Sequence, residues 1–144
     1  MTFKFKEIKE FKKILKEKEE VLLVSIVKEK ETLVNQIKTK ENEYSQIQVK
    51  IRNLYSGEFN ISLVRLYNDN LEATLREIKE LKLEVDKVNQ KIENQKAVIK
   101  LATIEFKKFE KLEENYIKER KELLKYNEKK ELDEIVSIRE FHKN

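Results

Sequence analysis

Few side chains in this 144-residue chain have the types and spacing that could support chemistry: one histidine and some adjacent carboxylates. Imidazoles and carboxylates are the usual general acids, general bases and metal ligands. His142 has no cysteine or second histidine with which to share a metal. Glu113–Glu114 and Asp133–Glu134 are neighbours in sequence, and neighbouring side chains point apart on a helix. We therefore expect no enzyme activity, no metal site and no cofactor.

The composition explains why these residues have no pocket to occupy. Charged residues make up 42% of the chain, which contains one glycine and no proline, cysteine or tryptophan. Chains of this kind form long helices or coiled coils, because helix formers dominate and helix breakers are rare. The chain contains no run of about 18 apolar residues, the length that could span a membrane. Its first residues, MTFKFKEIKEFKK, lack the apolar core of a signal peptide. Together with the absence of cysteine, this favours a cytoplasmic protein.

The net charge of +4 comes from the first part of the chain, where residues 1–54 contain 13 basic and 9 acidic groups. A local basic end favours anionic partners. It lacks the dense basic stripe and interleaved aromatic residues of nucleic-acid binders, so we expect no nucleic acid partner. A nucleic-acid-binding helical hairpin is the weaker alternative, and binding that falls steeply with salt would identify it.

One break interrupts the helical pattern, in NLYSGEFNISL at 53–63. Gly57 suits the left-handed conformation that ends many helices, and Asn60 can cap the helix that follows. A connection this short favours antiparallel neighbours. We predict one all-α domain over residues 1–144, a long two-helix antiparallel coiled-coil hairpin with an overhanging C-terminal helix. Its parts are helix 1 at about 3–55, a turn at about 56–60 and helix 2 at about 61–141.

Apolar residues at alternating steps of three and four predict the seam along which the two helices touch. Two polar residues interrupt this seam, Gln95 and Lys40, and we expect them to set the register. Upstream in helix 1, Ile8, Phe11, Leu15 and Leu22 are assigned to the seam, with a stutter before Ile26. The remaining predicted seam positions are Leu81, Val85, Val88, Ile92, Ile99, Ala102, Phe106 and Phe109 in helix 2, and Leu33, Ile37, Tyr44, Ile47, Ile51 and Leu54 in helix 1.

The hairpin leaves part of helix 2 without a partner. If residues 54 and 63 face each other, paired residue numbers add to roughly 117, so helix 1 ends opposite about residue 115. About 28 residues then overhang, which is about 40 Å of helix at 1.5 Å per residue. A single exposed helix of that length is marginal in water. We expect the overhang to fray or to dock on a partner.

The two ends of the chain contain its most specific sequence patterns. KKFEKLEENY at 107–116 is followed by ERKELLKYNEKKELDEI at 119–135, and the latter contains an E-[QRK]-K-x-[LM]-D-E pattern at Glu128 to Glu134. FKFKEIKEFKKILKEKEE at 3–20 is aromatic and basic. These segments resemble the two ends of the FliJ family of flagellar export proteins. The middle of the chain is similar to that family only as a coiled coil.

The resemblance implies a non-enzymatic stalk of the bacterial flagellar type III protein export apparatus, which serves motility. Such proteins resemble the central coiled coil of rotary ATP synthases. They insert their open end into a hexameric export ATPase and help couple it to the membrane-embedded export gate, and some bind export chaperones. The resemblance places the contact with the ATPase ring at Phe3, Phe5, Lys129, Lys130, Leu132, Asp133, Glu134 and Ile135.

The resemblance also places a contact with the export gate at Tyr44, Tyr67 and Leu71. Asn70 stands where relatives often have an aromatic or apolar residue. The implied location is cytoplasmic, peripheral to the membrane-embedded apparatus and without direct membrane insertion.

Two other functions remain open. A generic structural or scaffolding coiled coil, such as a dimer that runs straight through Gly57, would explain the seam but not the turn signals. Light scattering would distinguish it from the hairpin, which we expect to be a monomer when alone. A stalk homologue of the injectisome would have the same form as the flagellar protein.

Overall fold

The structure, a computed structural model, describes residues 3–57 and 59–143. These residues form two helices, α1 (Lys6–Ser56) and α2 (Ile61–Lys143), and no strand. The helices pack against each other, which confirms the predicted all-α helical hairpin. Over the described residues, neither helix includes a stretch apolar enough to traverse a lipid bilayer.

The connection between the helices differs from the predicted glycine turn. Gly57 does not have a positive φ, so the left-handed helix end expected there is wrong. Instead, the Ser56 hydroxyl donates a hydrogen bond to the Asn53 carbonyl at 3.1 Å. That bond satisfies one of the carbonyls that the last helical turn leaves open, which is the task a left-handed glycine usually performs.

Asn60 caps the start of α2. Its side-chain oxygen accepts hydrogen bonds from the backbone N–H groups of Ser62 at 3.0 Å and Leu63 at 3.4 Å. Its carbonyl accepts the first helical bond, from the Val64 N–H at 3.1 Å. The side chain therefore satisfies N–H groups that no helical carbonyl can reach.

The chain contains two compact units, and each pairs a segment of α1 with a segment of α2. Unit 1 consists of Met1–Glu17 and Lys100–Asn144, and unit 2 of Lys18–Ile99. The single domain over residues 1–144 stays a prediction.

In unit 2 the seam follows an unbroken spacing of three and four residues on both helices. Full burial of a large apolar side chain stabilises by about 1.5–3 kcal/mol, so this seam supplies most of the packing energy of the unit. The seam positions are all buried or half-buried, and they include every residue predicted between 33 and 54 and between 81 and 99. They are Glu19, Leu23, Ile26, Lys30, Leu33, Ile37, Lys40, Tyr44, Ile47, Ile51 and Leu54 on α1, and Val64, Tyr67, Leu71, Thr74, Ile78, Leu81, Val85, Val88, Ile92, Gln95 and Ile99 on α2.

In unit 1 the upstream seam predicted for α1 is wrong by one residue. Ile8 and Phe11 are 43% and 57% exposed, and Leu22, further along α1, is 47% exposed. Leu15 is half-buried. The half-buried positions that keep the spacing of three and four residues are Lys9, Lys12 and Lys16, then Glu19, Leu23 and Ile26, so the predicted stutter is absent.

Contacts to α2 explain why lysines occupy the seam in unit 1. A lysine can pack its methylene stem between helices while its ammonium group reaches a carboxylate or an aromatic face. The three contacts are Lys9 Nζ to Glu113 Oε2 at 3.3 Å, Lys12 Nζ to Glu105 Oε2 at 3.9 Å, and Lys16 Nζ to the centroid of the Phe106 side-chain ring at 5.5 Å. The side of α1 that faces α2 is therefore not decided by its apolar residues alone.

Candidate partner-binding site

Over residues 3–57 and 59–143, which the structure describes, the last part of α2 has no helical partner. Tyr116 and Arg120 are the last half-buried positions of the seam, and residues 121–142 are exposed throughout. We call residues 121–142 the C-terminal segment. It corresponds to the predicted overhang, because α1 begins at Lys6 and its lysine Lys9 already pairs with Glu113.

The C-terminal segment has both apolar and charged side chains, and within the described part of the chain nothing covers them. At about 100° per helical residue, four of its eight apolar side chains fall within an arc of about 120°, and Leu123, Tyr126, Val136 and Phe141 lie outside it. Lys130 and Asp133 lie on the opposite side of the helix by the same spacing. The four exposed apolar residues of this arc are Leu124, Leu132, Ile135 and Ile138. The segment thus offers exposed apolar side chains and charges of both signs.

The structure separates the predicted ATPase-contact residues into two groups. Lys129, Lys130, Leu132, Asp133, Glu134 and Ile135 share the C-terminal segment and are all exposed. Phe3 and Phe5 lie elsewhere, in an aromatic cluster against the α2 seam. From Tyr116 in that cluster to Lys129 the distance along α2 is about 20 Å at 1.5 Å per residue.

The aromatic cluster fixes the residues before α1 onto α2. The Phe3 and Tyr116 side-chain rings have centroids 5.6 Å apart, and those of Phe5 and Phe109 are 6.0 Å apart. Phe3 and Phe5 also contact each other edge to face, at 5.8 Å. Edge-to-face and tilted pairs at these distances are favourable. Phe3 and Phe5 are therefore half-buried packing residues with partly accessible edges.

The residues predicted to contact the export gate lie in the seam of unit 2. Tyr44, Tyr67 and Leu71 are all half-buried, and the Lys50 ammonium group lies 6.0 Å from the centroid of the Tyr67 side-chain ring. A partner could touch their outer edges but could not enclose them. Asn70, beside Leu71, is exposed.

Two polar residues in the seam of unit 2 form specific non-covalent contacts between the helices. Lys40 Nζ lies 2.7 Å from Glu77 Oε2 and 3.4 Å from Glu43 Oε2, and the hydrogen bond to Glu77 raises the pKa of Lys40 above its ordinary value of 10.5. Gln95 is buried and its Nε2 donates to the Glu19 carbonyl at 2.9 Å and the Glu19 carboxylate at 2.6 Å. Such specific pairs penalise other registers, because a shift would leave the buried amide without a partner.

Sequence reasoning missed one surface. Ile8, Phe11 and Ile14 of α1 are exposed on the side turned away from the lysine seam. The spacing from Leu33 to Leu54, continued upstream in unbroken steps, reaches Lys16, Lys12 and Lys9. That continuation would have shown that these apolar residues lie outside the seam.

Comparison with protein families gives a match over the whole chain. The matching family model is described as "Flagellar FliJ protein" and covers residues 1–144. No curated protein and no solved structure matches the chain. Within the described residues, no group of three or more His, Asp or Glu side chains is placed to hold a metal ion.

Proposed function

The chain belongs to the flagellar FliJ protein family, and on that premise we propose that it is a non-enzymatic stalk of the bacterial type III export apparatus. Family membership supports a role in flagellar export. The finer proposal is that its C-terminal segment enters the central pore of a hexameric export ATPase, and that unit 2 contacts the export gate. The chain would then be cytoplasmic and peripheral to the membrane-embedded apparatus, with export chaperones as further candidate partners.

The exposure of the C-terminal segment is the observation that carries this proposal. A single helix is about 10–12 Å across with its side chains, which suits a narrow pore. Its exposed apolar side chains have nothing to pack against among the described residues, so a partner would supply the missing burial. Charges of both signs allow contacts with several subunits of a ring, each of them weak.

ATP hydrolysis by a purified flagellar export ATPase tests the proposal directly. The enzyme would be titrated with the full chain and with a version that ends at Asn127. We expect stimulation by the full chain and loss of stimulation by the shortened one, because the shortened chain lacks the six predicted contacts at 129–135. Equal stimulation by both versions would contradict a ring contact through this segment.

A matched pair of substitutions distinguishes the loss of an ATPase contact from the general effect of removing an exposed leucine. Leu132 and Leu83 are both 62% exposed, the first in the C-terminal segment and the second in unit 2. We expect Leu132→Ala to weaken ATPase binding about tenfold, since hot-spot truncations cost over 1 kcal/mol. Leu83→Ala should leave binding unchanged. Phe3 and Phe5 are proposed to add contacts through their accessible edges.

The gate contact is proposed for Tyr44, Tyr67 and Leu71. Their half-burial means that removing them would also disturb the hairpin, so a gain of binding is the cleaner test. Asn70→Leu adds an exposed apolar group next to Leu71 without touching the seam. We expect it to strengthen binding to the purified cytoplasmic domain of an export gate protein. Asn68→Leu is the control for adding an exposed leucine nearby. If neither Asn70→Leu nor Asn68→Leu changes binding to the gate domain, a gate contact beside Leu71 is contradicted.

A further inference from the structure

The end of unit 2 at which α1 meets α2 carries few charges. Residues 44–68 contain three basic side chains and a single acidic one, Glu58, although charged residues make up 42% of the whole chain. The net charge of this stretch is therefore +2, with Glu58 lying outside the described residues. We call residues 50–66 the turn end. A stretch so poor in acidic groups favours an anionic partner.

Large apolar side chains project from the turn end on more than one side. The five that are exposed are Tyr55, Phe59, Ile61, Leu63 and Leu66. On α2, Ile61 and Leu63 point about 160° apart, since each helical residue turns by about 100°. The side-chain rings of Tyr55 and Phe59 have centroids 5.5 Å apart and are still largely exposed. Leu66 lies about 7.5 Å along α2 from Ile61, and the others lie closer to the turn. A single groove would therefore not cover these side chains.

The basic side chains of the turn end are exposed and stand back from its apolar extremity. They are Lys50, Arg52 and Arg65. At 1.5 Å per residue, their backbones are about 6–9 Å behind the helix ends at Ser56 and Ile61. Lys50 and Arg52 point about 160° apart on α1, so the cations, like the apolar residues, are not confined to one side. The turn end is therefore apolar at its extremity, with basic groups around it.

We infer that the turn end binds the surface of an anionic lipid bilayer, with Tyr55, Phe59 and Ile61 at the boundary between head groups and acyl chains. The apolar side chains would leave water there, and the three cations would reach anionic head groups. Interfacial segments typically enter by about 5–10 Å, which matches the distance by which the cations stand back. At this depth the backbone of the turn still meets polar head groups, as an irregular segment requires.

A lipid surface suits the turn end better than other occupants. A bilayer is fluid and encloses a projecting end from all sides, whereas a protein would need a socket that surrounds it. Nucleic acid would use the cations but would leave Ile61, Leu63 and Leu66 in water. A second copy would bring together two turn ends of the same net charge, which opposes association.

The inference goes beyond the proposed function and does not rest on it. The resemblance implied a peripheral protein without direct membrane insertion. The exposed apolar extremity is the reason to expect shallow contact with lipid instead.

Co-sedimentation of the full chain with lipid vesicles tests the ionic part of the inference. We expect binding to vesicles of phosphatidylcholine mixed with phosphatidylglycerol, and much weaker binding to phosphatidylcholine alone. The paired change Arg52→Gln with Arg65→Gln should weaken binding to the mixed vesicles about tenfold. Lys13→Gln with Lys18→Gln, at exposed lysines near the start of α1, is the matched control and should change binding little.

The apolar part needs its own variants. Phe59→Ser with Ile61→Ser should weaken binding to the mixed vesicles at least tenfold through the lost apolar burial, whereas Leu83→Ser, at an exposed leucine elsewhere in unit 2, should not. Circular dichroism would verify that every variant keeps its helices. A chain that does not bind mixed vesicles, or binding that survives both turn-end variants, would overturn the inference. Loss with the arginine pair alone would also overturn it, because binding would then be ionic adhesion without apolar burial.

Fluorescence locates the contact directly, because the chain contains no tryptophan. Tyr55→Trp places a single reporter at the turn end, and Leu83→Trp places one away from it. We expect mixed vesicles to shift the emission of the first variant to shorter wavelength and to leave that of the second unchanged. Equal responses from the two reporters would contradict contact through the turn end. Binding to a single-stranded oligonucleotide without binding to vesicles would assign the cations to nucleic acid and overturn the inference.

Discussion

Gly57 shows that a residue type does not fix a conformation. It sits where a left-handed glycine would end α1, yet its φ is not positive. A Cβ added there would meet the Asn53 carbonyl oxygen at 3.5 Å, an ordinary contact distance. The hydroxyl of Ser56 makes the hydrogen bond that the glycine would otherwise have arranged. The glycine is therefore replaceable.

Gly57→Ala should stabilise the chain by about 0.4–1 kcal/mol, because alanine restricts the unfolded chain and fits the native backbone. Urea unfolding followed by circular dichroism measures the change. Ser56→Ala is the companion variant, and we expect it to destabilise by about 1 kcal/mol through loss of the hydroxyl hydrogen bond. Destabilisation by Gly57→Ala would mean that the glycine needs a conformation closed to alanine.

Lys40 should give the hairpin a dependence on alkaline pH. The hydrogen bond to Glu77 raises the pKa of Lys40 above 10.5 in the folded chain. The contact therefore stabilises fully below the unfolded pKa, and this stabilisation is lost as the pH rises through the higher folded pKa. The difference in melting temperature between the natural chain and Lys40→Gln should shrink from about pH 9 to about pH 12.

The control for this pH dependence is Lys87→Gln, at an exposed lysine of α2. Its melting temperature should run parallel to that of the natural chain over the same range. A difference for Lys40→Gln that stays constant to high pH would mean that the Glu77 contact contributes nothing to stability.

At the level of the helices, the residue types in the seam of α1 change along its length. In unit 2 its seam is mostly apolar, whereas in unit 1 lysines reach Glu113, Glu105 and Phe106. Partly exposed ion pairs contribute about 0–1 kcal/mol each and weaken as salt is added. Apolar burial does not weaken with salt. The two stretches of α1 should therefore respond differently to ionic strength.

Hydrogen exchange should resolve that difference. Raising the salt concentration to about 1 M, where the screening length is about 3 Å, should speed exchange at residues 9–17 several-fold. Residues 44–54 should keep their protection, and they act as the internal control. Equal responses in the two stretches would show that the ion pairs do not hold the start of α1.

The seam of α2 was predicted and the start of α1 was not, for a physical reason. From Leu81 to Phe109 almost every seam position is apolar, so spacing alone identifies it. Near the start of α1 the apolar residues Ile8 and Phe11 compete with lysines one position away. The lysines contact carboxylates about a hundred residues distant in sequence, so the residue types near the start of α1 point to the wrong seam and only the spacing continued from Leu33 to Leu54 corrects it.

The candidate sites also include features that were predicted from the sequence and features that were not. The exposed overhang followed from counting residues on either side of the turn, and the Asn60 cap from its residue type. The burial of Tyr44 followed from the seam spacing, whereas that of Tyr67 was not predicted, because the resemblance gives a residue a role but not an exposure. Whether a side chain packs or binds depends on the facing helix.

For the whole molecule, the prediction of one domain has a calorimetric test. Both helices are continuous through the two units, since α1 runs from Lys6 to Ser56 and α2 from Ile61 to Lys143. We expect a single transition whose calorimetric and van't Hoff enthalpies agree, at about 100 kcal/mol for a chain of this length. Two resolved transitions would instead make the units separate domains.

The unbroken spacing of both helices also bears on how such a chain can change length in evolution. The three-and-four steps run from Lys9 to Leu54 on α1 and from Val64 to Arg120 on α2. Losing seven residues from each helix beside the turn would shorten the hairpin by about 10 Å and keep every side chain on its face. Losing a number that is not a multiple of seven would take the seam residues nearest the turn out of line with the seam beyond the deletion, since each residue turns the helix by about 100°. Insertions and deletions that survive selection should therefore occur as whole heptads, with the same number of residues gained or lost in each helix.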